Sequence, residues 1–391
     1  MVRQLVALRL PPSRFDAALH RVWRDQDAVL PLPVDAPDET IGALLEQLRP
    51  AALETLAADG TPVREQLGDA PDVAEATALV VATSGSTGEP RGVVVPHRAL
   101  TASIAASVAR LGCEHGDRWL LALPVHHVAG IQVLLRSWHL GVAPMVHDRF
   151  DPSAFATAAA EHVSLVPTQL VRLLDAGVDV ARFRTILLGG AKPDPRLLRA
   201  ARSEGAHVVV SYGMTETCGG CVYDGYALDG VETRVGLDGR IRVRGSVLAD
   251  GYRRPDGTVE PLTDDQGWLV TNDLGRVELG RLEVTGRADD VIISGGETVP
   301  AAAAADALRS HPAVWDAAVI GRTDEVWGEA VVAVVVPADP SAPPDLDALR
   351  AHVRARHPAP YAPRDLVVVG ELPRDEMGKV TRAQLRALVS G

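Results

Sequence analysis

The chain has little cysteine, no surplus of positive charge and no long hydrophobic run. Three cysteines in 391 residues cannot build a disulfide framework. A formal charge of −12 argues against nucleic acid or an anionic membrane as partner, since neither is attracted to such a surface. No apolar stretch approaches the roughly 18 residues of a membrane span. The longest clear one, AVVAVVV (330–336), is β-branched and bounded by Glu329 and Pro337, so it reads as a buried strand. The N-terminus MVRQLVALRLPPSRF lacks the apolar core and small-residue cleavage site of a signal peptide, which points to a cytoplasmic protein. There is no internal repeat, and the tract AAAAA (301–305) simply favours helix.

What remains is a 47% apolar chain long enough for two domains. Residues 1–75 read as helical in AALHRVWRDQ (17–26) and TIGALLEQLRPAALETLA (40–57). From 78 to 212, strands ALVVA, WLLAL, GVAPMV, VSLV, RTILL and HVVVS alternate with the helical segments 98–111, 152–162, 168–177 and 194–205. This rhythm predicts an α/β fold, a large N-terminal domain of mainly parallel sheets flanked by helices. Its ligands belong beyond the carboxyl ends of the strands. Segments 239–252 and 275–287 alternate polar and apolar residues between glycines, predicting antiparallel β ribbons. After GRADD (286–290) the pattern changes to a small α+β domain with strands at 291–294, 330–336 and 366–369 and helices near 301–310, 346–355 and 382–390. The domains are therefore placed at 1–286 and 291–391, joined at 287–290.

TSGSTGEPRG (83–92) follows a strand. Gly85 and Gly88 permit unusual backbone angles, and Thr83, Ser84, Ser86 and Thr87 add hydroxyls, so the backbone amides of this turn can cradle phosphate. It is not a Walker A loop, because Pro90 and Arg91 stand where Gly-Lys is required. An ordinary polar βα loop is the competing reading.

Four further segments follow in order: GGA (189–191) after RTILL, YGMTET (212–217) after HVVVS, WLVTND (268–273) running into GRADD, and EMGKV (376–380). Together with the first they resemble the adenylate-forming superfamily of acyl-CoA synthetases, luciferases and peptide-synthetase adenylation domains, over roughly residues 78–391. The resemblance implies ATP, Mg2+ and coenzyme A, and a carboxylic acid as the small-molecule substrate. The carboxylate attacks the α-phosphorus, and a thiol then displaces AMP. Residues 83–88 with Arg91, where the family usually has lysine, would hold the β- and γ-phosphates. Gly189, Gly190, Ala191, Tyr212, Gly213 and Met214 would flank adenine, Thr215 would bond the α-phosphate and Glu216 would hold the metal. Asp273 suits the ribose hydroxyls, with Arg287 nearby. Lys379 would bridge carboxylate and α-phosphate, where a compact ammonium fits. A small mobile C-terminal domain would turn about Asp289 between the half-reactions, with Gly295 and Gly296 lining the thiol path.

Cys218 and Cys221 form C-x-x-C but no second pair exists, so they read as small residues of the acyl pocket wall. His126 and His127 are not spaced as HExxH ligands; the resemblance makes His127 a contact of the acyl substrate. The tryptophans at 315 and 327 read as packing of the small domain. With only about 80 residues before the phosphate loop, the chain looks most like the actinobacterial o-succinylbenzoate–CoA ligase group of menaquinone synthesis. The alternatives are another aryl- or acyl-acid ligase, one that loads a carrier protein, or a nucleotide-binding protein without catalysis. Monomer and homodimer both remain open.

Overall fold

In a computed structural model of the chain, residues 3–84, 90–375 and 378–389 are described, Ser84 through its backbone only. The alternation of short β-branched runs with amphipathic helices builds a seven-stranded sheet, ordered 226–227, 219–223, 208–214, 185–188, 162–165, 119–121, 145–146. The five strands from Val208–Met214 to Met145–Val146 are parallel. Leu120, Val163, Leu165, Ile186, Leu188 and Val208 point from it into a core closed by Phe155, Leu170, Leu173 and Ala201 of the covering helices. Fully burying each such side chain contributes about 1.5–3 kcal/mol.

An eight-stranded sheet runs 259–261, 251–253, 90–96, 77–84, 28–31, 5–8, 52–56, 62–66. It corrects the helical reading of residues 1–75. Helices Pro12–Arg24 and Asp38–Leu48 are present, but the expected helix over 40–57 stops early. Arg49 turns left-handed at φ 45, Pro50 has no N–H to continue the ladder, and Ala52–Leu56 enters the sheet beside Leu5–Leu8. Helix Val128–His139 is unforeseen because its face is hidden: nearly all of it is buried, which leaves no polar stripe to read.

These elements fall in one compact unit, Met1–Thr233 with Val243–Leu269; the second is Arg234–Arg242 with Val270–Gly391. The expected joint at 287–290 is, in the structure, the end of strand Arg281–Arg287 and a 3-10 turn, Ala288–Asp290, within the second unit. Strands Leu269–Glu278 and Arg281–Arg287 form the ribbon predicted over 275–287. No ribbon forms over 239–252: Arg240–Gly245 and Gly251–Arg253 join different sheets. The backbone N–H of Asp250 is drawn instead to Val94 O at 2.9 Å.

In the second unit the continuous apolar run at 330–336, within strand Gly328–Pro337, is explained by burial on both faces. Val331, Ala333 and Val335 face helices Ala301–Arg309 and Leu346–Arg354, whereas Val332, Val334 and Val336 face Leu385 and Val389 of the last helix. Alternate residues of a strand point to opposite sides, so both registers must be apolar. Trp315 departs from the packing role expected of it: on the neighbouring strand Val314–Asp324 it is 60% exposed. Trp327 is 39% exposed and lies under Arg364, whose guanidinium carbon is 3.3 Å from its ring centroid.

Candidate functional site

Residues 85–89 and the Ser84 side chain lie outside the described residues, so the expected contacts of Ser84, Gly85, Ser86, Thr87 and Gly88 are not described. The flanks are. Strands Thr77–Ser84 and Pro90–Pro96 pair antiparallel, with Thr83 opposite Arg91 and Ser84 opposite Pro90. The element that follows the stretch is a strand and not a helix, so the competing βα-loop reading does not apply. Beside its base lies an open groove of about 480 Å3 lined by Pro31, Thr40, Leu44, Thr83, Pro90 and His126. The groove brings Thr83 together with the His-His segment, through His126. The His127 ring is 4.2 Å from that of His126, and His127 is the N-cap of helix Val128–His139.

Two neighbouring parallel strands deliver the next segments. Leu188 of Thr185–Leu188 is paired with Val210 of Val208–Met214, so Gly189–Ala191 and Tyr212–Thr217 leave the same carboxyl edge side by side. A side chain at Gly189 would meet Ser211 at 3.6 Å, an ordinary contact, whereas one at Gly213 would come within 2.0 Å of Gly219 O. Only glycine at 213 lets the chain fold back on itself there. Thr215–Thr217 form a 3-10 turn. The Thr217 hydroxyl accepts from Met214 N–H at 2.9 Å and donates to Gly219 O at 2.7 Å, which fixes the turn that carries Thr215 and Glu216. Cys218 and Cys221 are fully buried and free. Burial raises both thiols, Cys221 to about 12, which keeps them protonated.

Glu216 is half-buried, and no cationic side chain among the described residues pairs with it. Its Oε1 accepts from the Tyr252 hydroxyl at 2.8 Å. A hard dication takes carboxylate oxygens and commonly needs only one or two from protein alongside phosphate. An uncountered carboxylate with a second oxygen to offer fits that group. Burial and the Glu216 charge raise the Tyr252 phenol, opposed by Arg91, so it remains a donor. The Arg91 guanidinium carbon sits 5.3 Å from the Tyr252 ring centroid.

A second feature went unread in the sequence. Arg136, 2% exposed, donates to Ser107 Oγ at 3.0 Å and Gln132 Oε1 at 3.1 Å and lies 4.7 Å over the Trp119 ring. No carboxylate among the described residues pairs with it. Gln132 bonds the Cys218 carbonyl, which links this cation to the turn that carries Glu216. The signal was available: Gln132 and Arg136 are polar residues one turn apart in a largely apolar helix. Tyr252 offered no comparable signal, because its partner lies 36 residues away.

In the second unit, Asp273 and Arg287 face each other across the ribbon, and Arg287 Nη1 donates to Asp273 Oδ1 at 3.2 Å. Gly295 and Gly296 have φ of 62 and 80 and form the two-residue turn between Val291–Ser294 and Glu297–Pro300, a hairpin geometry that demands positive φ. Lys379 has an exposed side chain on a tight turn. Its N–H donates to Asp375 Oδ1 at 2.8 Å and its carbonyl accepts from Asp375 N–H at 2.9 Å. Arg374 anchors that turn to Asp316 at 2.5 Å.

Residues 16–252 match the family described as "AMP-binding enzyme", and residues 305–379 match its C-terminal domain. The chain is 45% identical over 342 residues to a probable 2-succinylbenzoate–CoA ligase of Mycobacterium tuberculosis, covering 83% of this chain and 86% of that one. Among solved structures it resembles the o-succinylbenzoate CoA synthetase of Bacillus subtilis with the acyl-adenylate intermediate, at 29% identity and a TM-score of 0.84, covering 98% of this chain and 89% of that one. The same Bacillus subtilis enzyme with ATP and magnesium ion matches at 28% identity and a TM-score of 0.83, covering 98% and 90%. Among the described residues, no helix is long and apolar enough to cross a membrane.

Proposed function

Because the chain belongs to the AMP-binding enzyme family, we propose that it is an acid–thiol ligase that activates o-succinylbenzoate with ATP and transfers the acyl group to coenzyme A. One substrate carboxylate attacks the α-phosphorus and pyrophosphate leaves. The thiol then attacks the acyl carbonyl and AMP leaves. Both steps develop negative charge, so donors and cations must be placed in advance where it appears.

The observation that carries the choice of acid is Arg136. A buried guanidinium with no carboxylate partner among the described residues is costly, and a substrate with a second carboxylate would offset that cost where a simple fatty acid would not. The similarity to 2-succinylbenzoate–CoA ligases supports the same acid. In this reading Arg136 is the partner of the carboxylate that is not activated. His127 remains an acyl contact in this reading.

Thr215 donates to the α-phosphate and Asp273 accepts from the ribose. Gly189–Ala191, Tyr212, Gly213 and Met214 bracket the base, and the hairpin at 83–91 holds the distal phosphates. Glu216 would hold the magnesium ion, which would supply charge neutralisation for the polyphosphate. Lys379 serves the first half-reaction, and a turn about Asp289 then gives way to the thiol path at Gly295 and Gly296. The setting is the cytoplasm, as monomer or homodimer.

Pyrophosphate release from a panel of acids, with and without coenzyme A, tests the reading. The expected result is turnover of o-succinylbenzoate well above benzoate or medium-chain fatty acids, with thioester formed only when coenzyme A is added. Equal turnover across the panel would overturn the acid. Adenylation followed by transfer only to a carrier protein would overturn the thiol.

A further inference from the structure

Tyr252 belongs to none of the motifs that point to the site, yet the segment before and around it is tied to two of them. Ala249 N–H donates to the Glu216 carbonyl at 2.9 Å, and Asp250 N–H to Val94 O at 2.9 Å. Gly251, Tyr252 and Arg253 then pair with Val94, Val93 and Gly92 on the returning strand of the phosphate hairpin. Arg98 forms an ion pair with Asp250. From this seam the Tyr252 hydroxyl reaches Glu216 Oε1 at 2.8 Å and its ring lies under Arg91.

We propose that Tyr252 is a positioning residue that fixes the Glu216 carboxylate and couples it to Arg91 on the phosphate hairpin. The phenol occupies one carboxylate oxygen and leaves the other for the metal of the nucleotide. The arginine found where the family usually has lysine has a physical use here. A planar guanidinium stacks on an aromatic face, which a compact ammonium does less well. Without the phenol, the carboxylate would sample several rotamers, and the metal would have to select one on binding. This inference rests on the proposed use of Glu216 toward the metal.

The test is calorimetric titration of the full-length chain, with Mg2+ at fixed ATP and, separately, with AMP in the absence of metal. In Tyr252→Phe the half-saturating Mg2+ should rise about tenfold, the scale of one charge-assisted hydrogen bond, while AMP affinity stays within about twofold. Glu216→Gln should raise it further, and adding Tyr252→Phe to that variant should change nothing more. An unchanged Mg2+ dependence in Tyr252→Phe, additive effects in the double variant, or an equal loss of AMP binding would each overturn the positioning role. If Tyr252→Phe does not fold, 3-fluorotyrosine at position 252 keeps the ring and alters only the donor; an unchanged Mg2+ dependence there overturns it too. Wild-type protein that binds neither Mg·ATP nor AMP would overturn the proposed function itself, a separate outcome.

Discussion

Arg287 grips Asp289 through two parallel bonds, Nε to Oδ1 and Nη2 to Oδ2, both at 2.9 Å. Its third nitrogen reaches Asp273, so one guanidinium joins the proposed ribose acceptor to the proposed hinge. The bond from Arg287 holds the Asp289 carboxyl below the usual carboxylate range. A depressed folded value means the pair stabilises the native state above the ordinary carboxylate pKa of about 3.9 and is lost as pH falls through the lowered value. Both side chains are partly exposed, so the contribution to stability is small. In Arg287→Gln, Asp289 should titrate closer to its ordinary value by carboxyl NMR. An unmoved titration would show that the fork does not hold the hinge carboxylate.

Lys192 and Lys379 are the only lysines among 39 cationic Lys and Arg residues. In a chain that uses arginine nearly everywhere, a lysine kept at 379 fits a task that needs a compact ammonium. Lys379→Ala should lower adenylation by roughly a hundred- to thousandfold and spare thioester formation from supplied acyl-adenylate. Single-turnover kinetics of the two halves checks this; equal loss in both counts against the assignment. An amine-directed reagent read by mass spectrometry should also find Lys379, but not Lys192, protected by bound adenylate.

Arg136→Met removes a buried charge that no carboxylate among the described residues balances, so the melting temperature should hold or rise. The KM for o-succinylbenzoate should rise about 10- to 100-fold, the scale of a lost charged hydrogen bond. An analogue lacking the carboxylate that is not activated should show no such change. Parallel loss with both acids would make Arg136 a packing residue only.

Gly213→Ala would force a methyl to within 2.0 Å of Gly219 O. Backbone cannot yield as a flexible side chain does, so destabilisation of about 1–3 kcal/mol is expected, visible as a lower melting temperature together with impaired adenylation. Gly189→Ala, with ordinary contact distances, should melt like the wild type.

The local chemistry was legible from residue order. Strand-then-loop segments at 185–191 and 208–217 are periodic and end in glycine or hydroxyl residues, and backbone geometry alone sends them to a sheet's carboxyl edge. The doubly buried strand at 328–337 was legible for the same reason: β-branched residues fill both registers. The four strands of the first 66 residues were not. Their alanine-, leucine- and proline-rich segments suit helix or strand, and pairing with distant neighbours decided between them.

By its sequence alone, this protein specified which atoms are on offer: a hydroxyl-rich stretch after a strand, a threonine–glutamate pair, an aspartate closing the run WLVTND, and a lysine near the C-terminus. Tertiary structure alone decided which of them meet. Tyr252 reaches Glu216 across 36 residues, Arg136 sits buried without a carboxylate partner among the described residues, and Thr83 pairs with Arg91 across two antiparallel strands. Short-range order is written in backbone preference and periodicity. The pairing of a carboxylate with a phenol, or of a cation with hydroxyl, amide and indole groups, depends on which surfaces are brought together when the apolar strands are buried, and no local pattern encodes that.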